Sequence, residues 1–111
     1  MPRVGRRRSV TLSSTVVAVT DQVSTPLAGA TVILHLGTGF YLTLNAVGSR
    51  IWTLVQHPVP VESIRDTLVR EYDVAPGRCE EDLLQVLQDL AQHKLIEVRP
   101  GTVRADRGGG S

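Results

Sequence analysis

The sequence predicts an α+β domain, winged helix-turn-helix-like, in which a three-stranded antiparallel sheet is followed by three helices. Three observations carry that reading. Ahead of residue 45 the apolar residues sit in short, β-branched or alternating runs. Beyond it they recur at helical spacing. The connections are short, so consecutive elements should pack as neighbours. The chain of 111 residues suits one domain. With 41% hydrophobic and 21% charged residues it should fold as a globule. Aromatics are only 4%, so aliphatic packing must supply the core.

Residues 1–13, rich in Arg, Ser and Thr, read as a flexible basic arm, 14–99 as the folded domain and 100–111 as a flexible tail. Thr15 to Thr20 is β-branched and predicts the first strand; a loop with Pro26 and Gly29 follows. Ala30 to Leu36 is the second strand. Its alternation places Val32, Leu34 and Leu36 on one face and Ile33 and His35 on the other, taken as the outer face. Gly37-Thr38-Gly39 turns the chain into a third strand, Phe40 to Leu44, which is left at a sheet edge. Asn45 is a good N-cap for a helix over 46–56, in which Gly48 costs about 1 kcal/mol relative to Ala and implies a close approach. His57-Pro58-Val59-Pro60 breaks it. A second helix runs over 61–72, with Ile64 and Leu68 inward. A third spans 79–93, with Leu83, Val86, Leu87 and Leu90 as its buried stripe. Leu95 to Val98 extends, and Pro100-Gly101 can turn it back into a small terminal hairpin.

Several function classes are disfavoured. The one cysteine, Cys79, can make no internal disulfide, which suits a reducing cytoplasm. No apolar run is long enough to span a membrane, and no apolar stretch follows Arg8 as a secretory signal requires. His35, His57, His93 and Cys79 lack ligand spacing, so no metal or other cofactor is expected. Cys79 precedes Glu80, Glu81 and Asp82, whose charge opposes a thiolate; it reads as a structural thiol, and the acidic trio as a favourable first helical turn. Gly37-Thr38-Gly39 joins two strands and is no phosphate loop. The helix trio raises DNA binding, but the charge distribution opposes it. Residues 10–98 hold five basic groups against ten acidic ones, and the third helix is itself acidic. Only the arm, with Arg3, Arg6, Arg7 and Arg8, is strongly basic.

The stretch from Ala30 to Val98 resembles the PqqD-like family, small domains that recognise the leader region of ribosomally made, post-translationally modified peptides. The resemblance rests on a strand–turn–strand followed by Leu44, Asn45, Gly48, Ile51 and Trp52. Val61-Glu62-Ser63-Ile64, Tyr72 to Val74 and the closing Lys94-Leu95-Ile96-Glu97 extend it. It implies a winged-helix-like fold without nucleic-acid binding, and no enzyme activity. The free-standing members of lasso peptide pathways look nearest. These bind a precursor leader carrying Tyr and Pro anchors and deliver it to a cysteine-protease-like leader peptidase, after which an asparagine-synthetase-like cyclase closes the ring. Other relatives serve radical SAM enzymes. The basic arm and Gly-rich end depart from the family pattern.

On this reading a leader adds as a strand along Phe40, Tyr41, Leu42, Thr43 and Leu44, because an unpaired edge is a template for an incoming peptide. Tyr41 and Thr43 carry the backbone edge. Leu42, Leu44, Leu84, Leu87 and Ala91 are the expected apolar wall, with Glu81, Gln85 and Gln88 selecting polar groups. Trp52, Ile51 and Phe40 read as core. The same edge could pair with a second copy. A DNA-binding winged helix and an adaptor without peptide specificity are the competing readings.

Overall fold

The computed structural model describes residues 10–100. It is α+β, with three helices and a three-stranded antiparallel meander, and a second small sheet that local sequence patterns do not reveal. The elements are β1 (Thr15–Ala18), β2 (Gln22–Leu27), β3 (Ala30–His35), β4 (Tyr41–Leu44), α1 (Ala46–Leu54), β5 (Val59–Pro60), α2 (Val61–Tyr72), α3 (Pro76–Gln92) and β6 (Ile96–Arg99).

The meander is β2-β3-β4, not one built on Thr15 to Thr20. Its first strand is the segment read as a loop around Pro26. The expected first strand exists as β1 but pairs elsewhere, antiparallel to both β5 and β6. Val16 stands opposite Val59 on one side and Val98 on the other. The extended segment after α3 is therefore β6, closing back on β1. The suggested hairpin beyond Pro100, and the arm and tail over residues 1–9 and 101–111, lie outside the described residues. Residues 10–13, expected in the arm, belong instead to the folded body: Val10 is buried in the core and Leu12 packs against it.

Val16, Ile33, Ile51, Val55, Val61, Ile64, Leu83, Leu87, Leu90 and Leu95 are all essentially fully buried. Each such side chain contributes about 1.5–3 kcal/mol by leaving water. Trp52 joins them, as the sequence predicts, whereas Phe40 stays exposed at the sheet rim. Ile33 marks the face of the meander that packs on α1, where the Thr31 hydroxyl donates to Ser49 Oγ at 2.7 Å. His35 shares that inner face, since alternate residues of a strand point the same way, and so is not on the outer one.

The β4–α1 junction is set locally. Asn45 caps α1 by accepting the Gly48 N–H at 2.9 Å on its side-chain oxygen. A Cβ on Gly48 would stand 3.0 Å from Leu44 Cβ, a tight contact that the glycine avoids. α2 ends on Asp73 in the left-handed region. α3 starts three residues earlier than expected, because Pro76 occupies its first turn rather than breaking the chain.

Candidate functional site

Among the described residues β4 is an edge strand, and the ladder shows which of its main-chain groups pair with β3. His35 N–H donates to the Phe40 carbonyl at 2.9 Å. With the register Ile33↔Leu42 and Thr31↔Leu44, alternation of an antiparallel ladder turns the main-chain groups of Leu42 and Leu44 toward β3. Those of Tyr41 and Thr43 point away from the sheet. Both residues are exposed. The opposite edge differs. Leu36 N–H donates to the Asp21 carbonyl, so by the same alternation Gln22, Ser24 and Pro26 of β2 face outward. Pro26 has no N–H to offer, which blunts that edge. Of the two flanks of the meander, β4 is the one able to receive a strand over its whole length.

Beside β4 runs α3. At one end the Phe40 and His93 rings meet edge to face, with centroids 6.3 Å apart. At the other end, where β4 passes into Asn45, a cavity of about 500 Å³ opens between the three helices. α1 contributes Val47, Gly48 and Ile51; Leu68, Tyr72 and Val74 come from α2 and its exit; α3 adds Cys79, Asp82, Leu83, Gln85 and Val86. The lining is mostly apolar, with Asn45, Asp82 and Gln85 as its main polar side chains. Val47, Tyr72 and Val74 are 40%, 42% and 39% exposed, large apolar side chains left open to water around a concave site. The recess and the edge of β4 meet at Asn45, the last residue before α1 and a lining residue of the cavity.

The family of small domains described as coenzyme PQQ synthesis protein D (PqqD) matches the chain over residues 30–96, from the start of β3 to the start of β6. The chain belongs to the PqqD family. Among solved structures, one reported as TbiB1 in complex with the TbiA(beta) leader peptide is similar to this PqqD-family chain at 40% identity and a TM-score of 0.67. The match covers 73% of this chain and 94% of that one. No curated protein matches it.

In this PqqD-family domain the expected site residues divide. Phe40, Tyr41, Leu42, Thr43 and Leu44 lie together along the free edge, with Leu42 half-buried and Leu44 buried on the inner face. Gln85 lines the cavity. The rest of the expected α3 set lies elsewhere. Leu87 is fully buried in the core and has no surface for a ligand. Leu84 and Ala91 are half-buried against the core, and with Gln88 they occupy the other flank of the Leu83–Leu87–Leu90 stripe at about 3.6 residues per turn. Glu81 is exposed and is not part of the lining. Val86, Asp82 and His93 form the flank that turns toward the cavity and β4. Val47 and Tyr72, although they sit at helical spacing from buried residues of α1 and α2, stand at the mouth. Periodicity locates the stripe of α3 but not which flank meets the sheet.

Charged pairs brace the helices around the recess. Arg50 of α1 makes a two-pronged bond to Glu71 of α2 at 2.9 and 2.7 Å, and the guanidinium holds the Glu71 carboxyl below its usual range. Arg65 of α2 reaches Glu80 of α3 at 2.9 Å and its neighbour Asp66 at 3.1 Å. Cys79 Sγ lies 3.9 Å from the Arg65 carbonyl, and burial, with the nearby Asp82 charge, pushes its thiol pKa up. That is the opposite of the activation a nucleophile needs. Among the described residues no three His, Cys, Asp or Glu converge as metal ligands, and no helix is long and apolar enough to cross a membrane.

Proposed function

We propose that this chain is a non-catalytic receptor for the leader segment of a ribosomally made precursor peptide. The leader adds antiparallel to β4 and sets apolar side chains into the recess between α1, α2 and α3. One observation carries the reading: the strand whose Tyr41 and Thr43 turn their main-chain groups outward runs into Asn45, at the mouth of an open apolar cavity. Likeness to TbiB1, solved with a leader peptide, supports it.

The energetics divide the labour. The outward N–H and C=O of Tyr41 and Thr43 offer four main-chain bonds worth about 0.5–1.5 kcal/mol each. That sum roughly offsets what association and peptide ordering cost. Affinity and choice of peptide therefore come from anchors buried against Val47, Tyr72 and Val86, at about 1.5–3 kcal/mol per side chain. Asp82 at the rim is already paired with Arg78 at 3.3 Å, so a cationic leader side chain would have to compete with that exposed pair. The lasso peptide pathway is the context this reading adopts. There the bound precursor passes to a cysteine-protease-like leader peptidase, ahead of an asparagine-synthetase-like cyclase, in the cytoplasm.

Nitrogen-15 NMR titration with a synthetic precursor leader peptide tests the reading. Shifts should localise to residues 40–48 and to Asp82, Gln85 and Val86 of α3. Shifts confined to the Leu84–Gln88–Ala91 flank, or none at all, would reject it.

A further inference from the structure

Two walls of the recess are held in place by different means. β4 and the wall on α1 form one continuous unit, because Leu44 leads directly into Asn45, whose side chain fixes the first turn of α1 through the Gly48 N–H. The wall on α2 is its last turn and exit, with Tyr72 and Val74. Earlier in α2, Ile64 and Leu68 sit in the core, but Arg70, Glu71 and Tyr72 are exposed and the helix stops at Asp73. Among the described residues one hydrogen-bonded link crosses from α1 to α2. It is the fork of Arg50 on the Glu71 carboxylate, Nε to Oε1 at 2.9 Å and Nη2 to Oε2 at 2.7 Å. Arg50 lies one turn beyond Val47 on α1, and Glu71 directly precedes Tyr72 on α2. The pair thus ties together the turns that carry the two large apolar side chains at the mouth.

Glu71 is poorly placed for α2 alone, since a carboxylate in the last turn of a helix opposes its dipole. Its partner is a cation on another helix. With side chains 35% and 37% exposed, such a pair adds little to global stability. Its two parallel bonds do fix distance and orientation, because a planar guanidinium meets a carboxylate in a set geometry. We propose that Arg50 and Glu71 are positioning residues for leader recognition: their pair sets the separation of the two walls and so aligns the α2 side of the recess with the β4 edge. This rests on the leader-binding reading and adds to it the device that sets the width of the mouth.

The test uses the full chain and a fluorescently labelled synthetic leader. Arg50→Gln and Glu71→Gln each break the fork, and a thermal melt verifies the fold. Each should weaken leader binding about three- to tenfold in fluorescence anisotropy. Arg50→Glu combined with Glu71→Arg rebuilds the pair in reverse and should recover most of that affinity. In nitrogen-15 spectra of the free protein, Arg50→Gln should shift Tyr72 and Val74 across the gap, and Glu71→Gln should shift Val47. Folded single variants that bind the leader as tightly as the wild type would overturn the proposal. So would a reversed pair as weak as the singles, or single effects of opposite sign, because each side chain would then act on the leader by itself. If the wild type binds no leader, the leader reading fails, and the cross-helix shifts alone decide the pair: present, they uphold it as the spacer of the walls; absent, they refute it.

Discussion

Thr43→Pro isolates the main-chain part of recognition. The Thr43 N–H points away from β3, so removing it costs the native ladder no bond. Proline also holds the residue before it, Leu42, in the extended conformation it already adopts. The fold tolerates the same arrangement at Pro26, which faces outward on the opposite edge. What changes is the guest strand. Its carbonyl loses the donor, and the proline ring occupies the line of approach, so the paired bond through the Thr43 carbonyl lengthens as well. Two bonds at about 0.5–1.5 kcal/mol each amount to about 1–3 kcal/mol, or about 5- to 150-fold in Kd. Fluorescence anisotropy with labelled leader measures that loss, and a thermal melt verifies that the variant is folded. Thr43→Val keeps the N–H and should bind as the wild type does. A folded Thr43→Pro protein with unchanged Kd would refute strand addition.

Three further expectations follow from the geometry. Val86→Asp places a charge in the recess and should weaken leader binding by at least about tenfold, consistent with the loss of a buried anchor contact; Leu84→Asp, on the far flank of α3, should leave the Kd unchanged in the same anisotropy assay if the fold survives. The Glu71 carboxyl is depressed by its bond to Arg50, so its contribution to stability is present above the unfolded pKa, about 4.3, and is lost as pH falls through the lower folded value. An NMR titration of the Glu71 carboxyl in wild type and Arg50→Ala should show the variant returning to the ordinary range. The buried, raised Cys79 thiol should react slowly with iodoacetamide at neutral pH in the native protein and quickly in denaturant; rapid native alkylation would place it at the surface.

Local patterning makes part of this molecule readable from its residues. α2 spans the predicted 61–72, and Asn45 caps α1 as its type suggests, because cap chemistry and a 3.6-residue period are properties of adjacent residues. The hairpin of β3 and β4 is legible for the same reason. β2 is hidden by Pro26, which signals a break in a central strand but is harmless where its missing N–H faces water. β1 reads as a strand, yet its partners β5 and β6 lie far along the chain, and no local alternation encodes that pairing. The recess is hidden for a related reason. Tyr72 and Val47 look like ordinary core positions, and only the packing of three helices leaves them at an opening. The α3 flank that faces β4 depends on a rotation that the contact between Phe40 and His93 reveals.

The pairing of β1 with β6 has an architectural consequence. Thr15 stands opposite Arg99, so the chain enters and leaves this ladder at adjacent points. A host protein could carry the module inside one of its own surface loops without its flanks being pulled apart. Joining the chain outside Val10 and Arg99, so that the core keeps Val10, and reopening it at the Ala28–Gly29 turn, both at positive φ, gives a circular permutant that keeps β4 and the recess intact. The recognition unit is in this sense a portable cassette, transferable between free-standing and fused contexts by cutting and splicing far from the surface that reads the peptide.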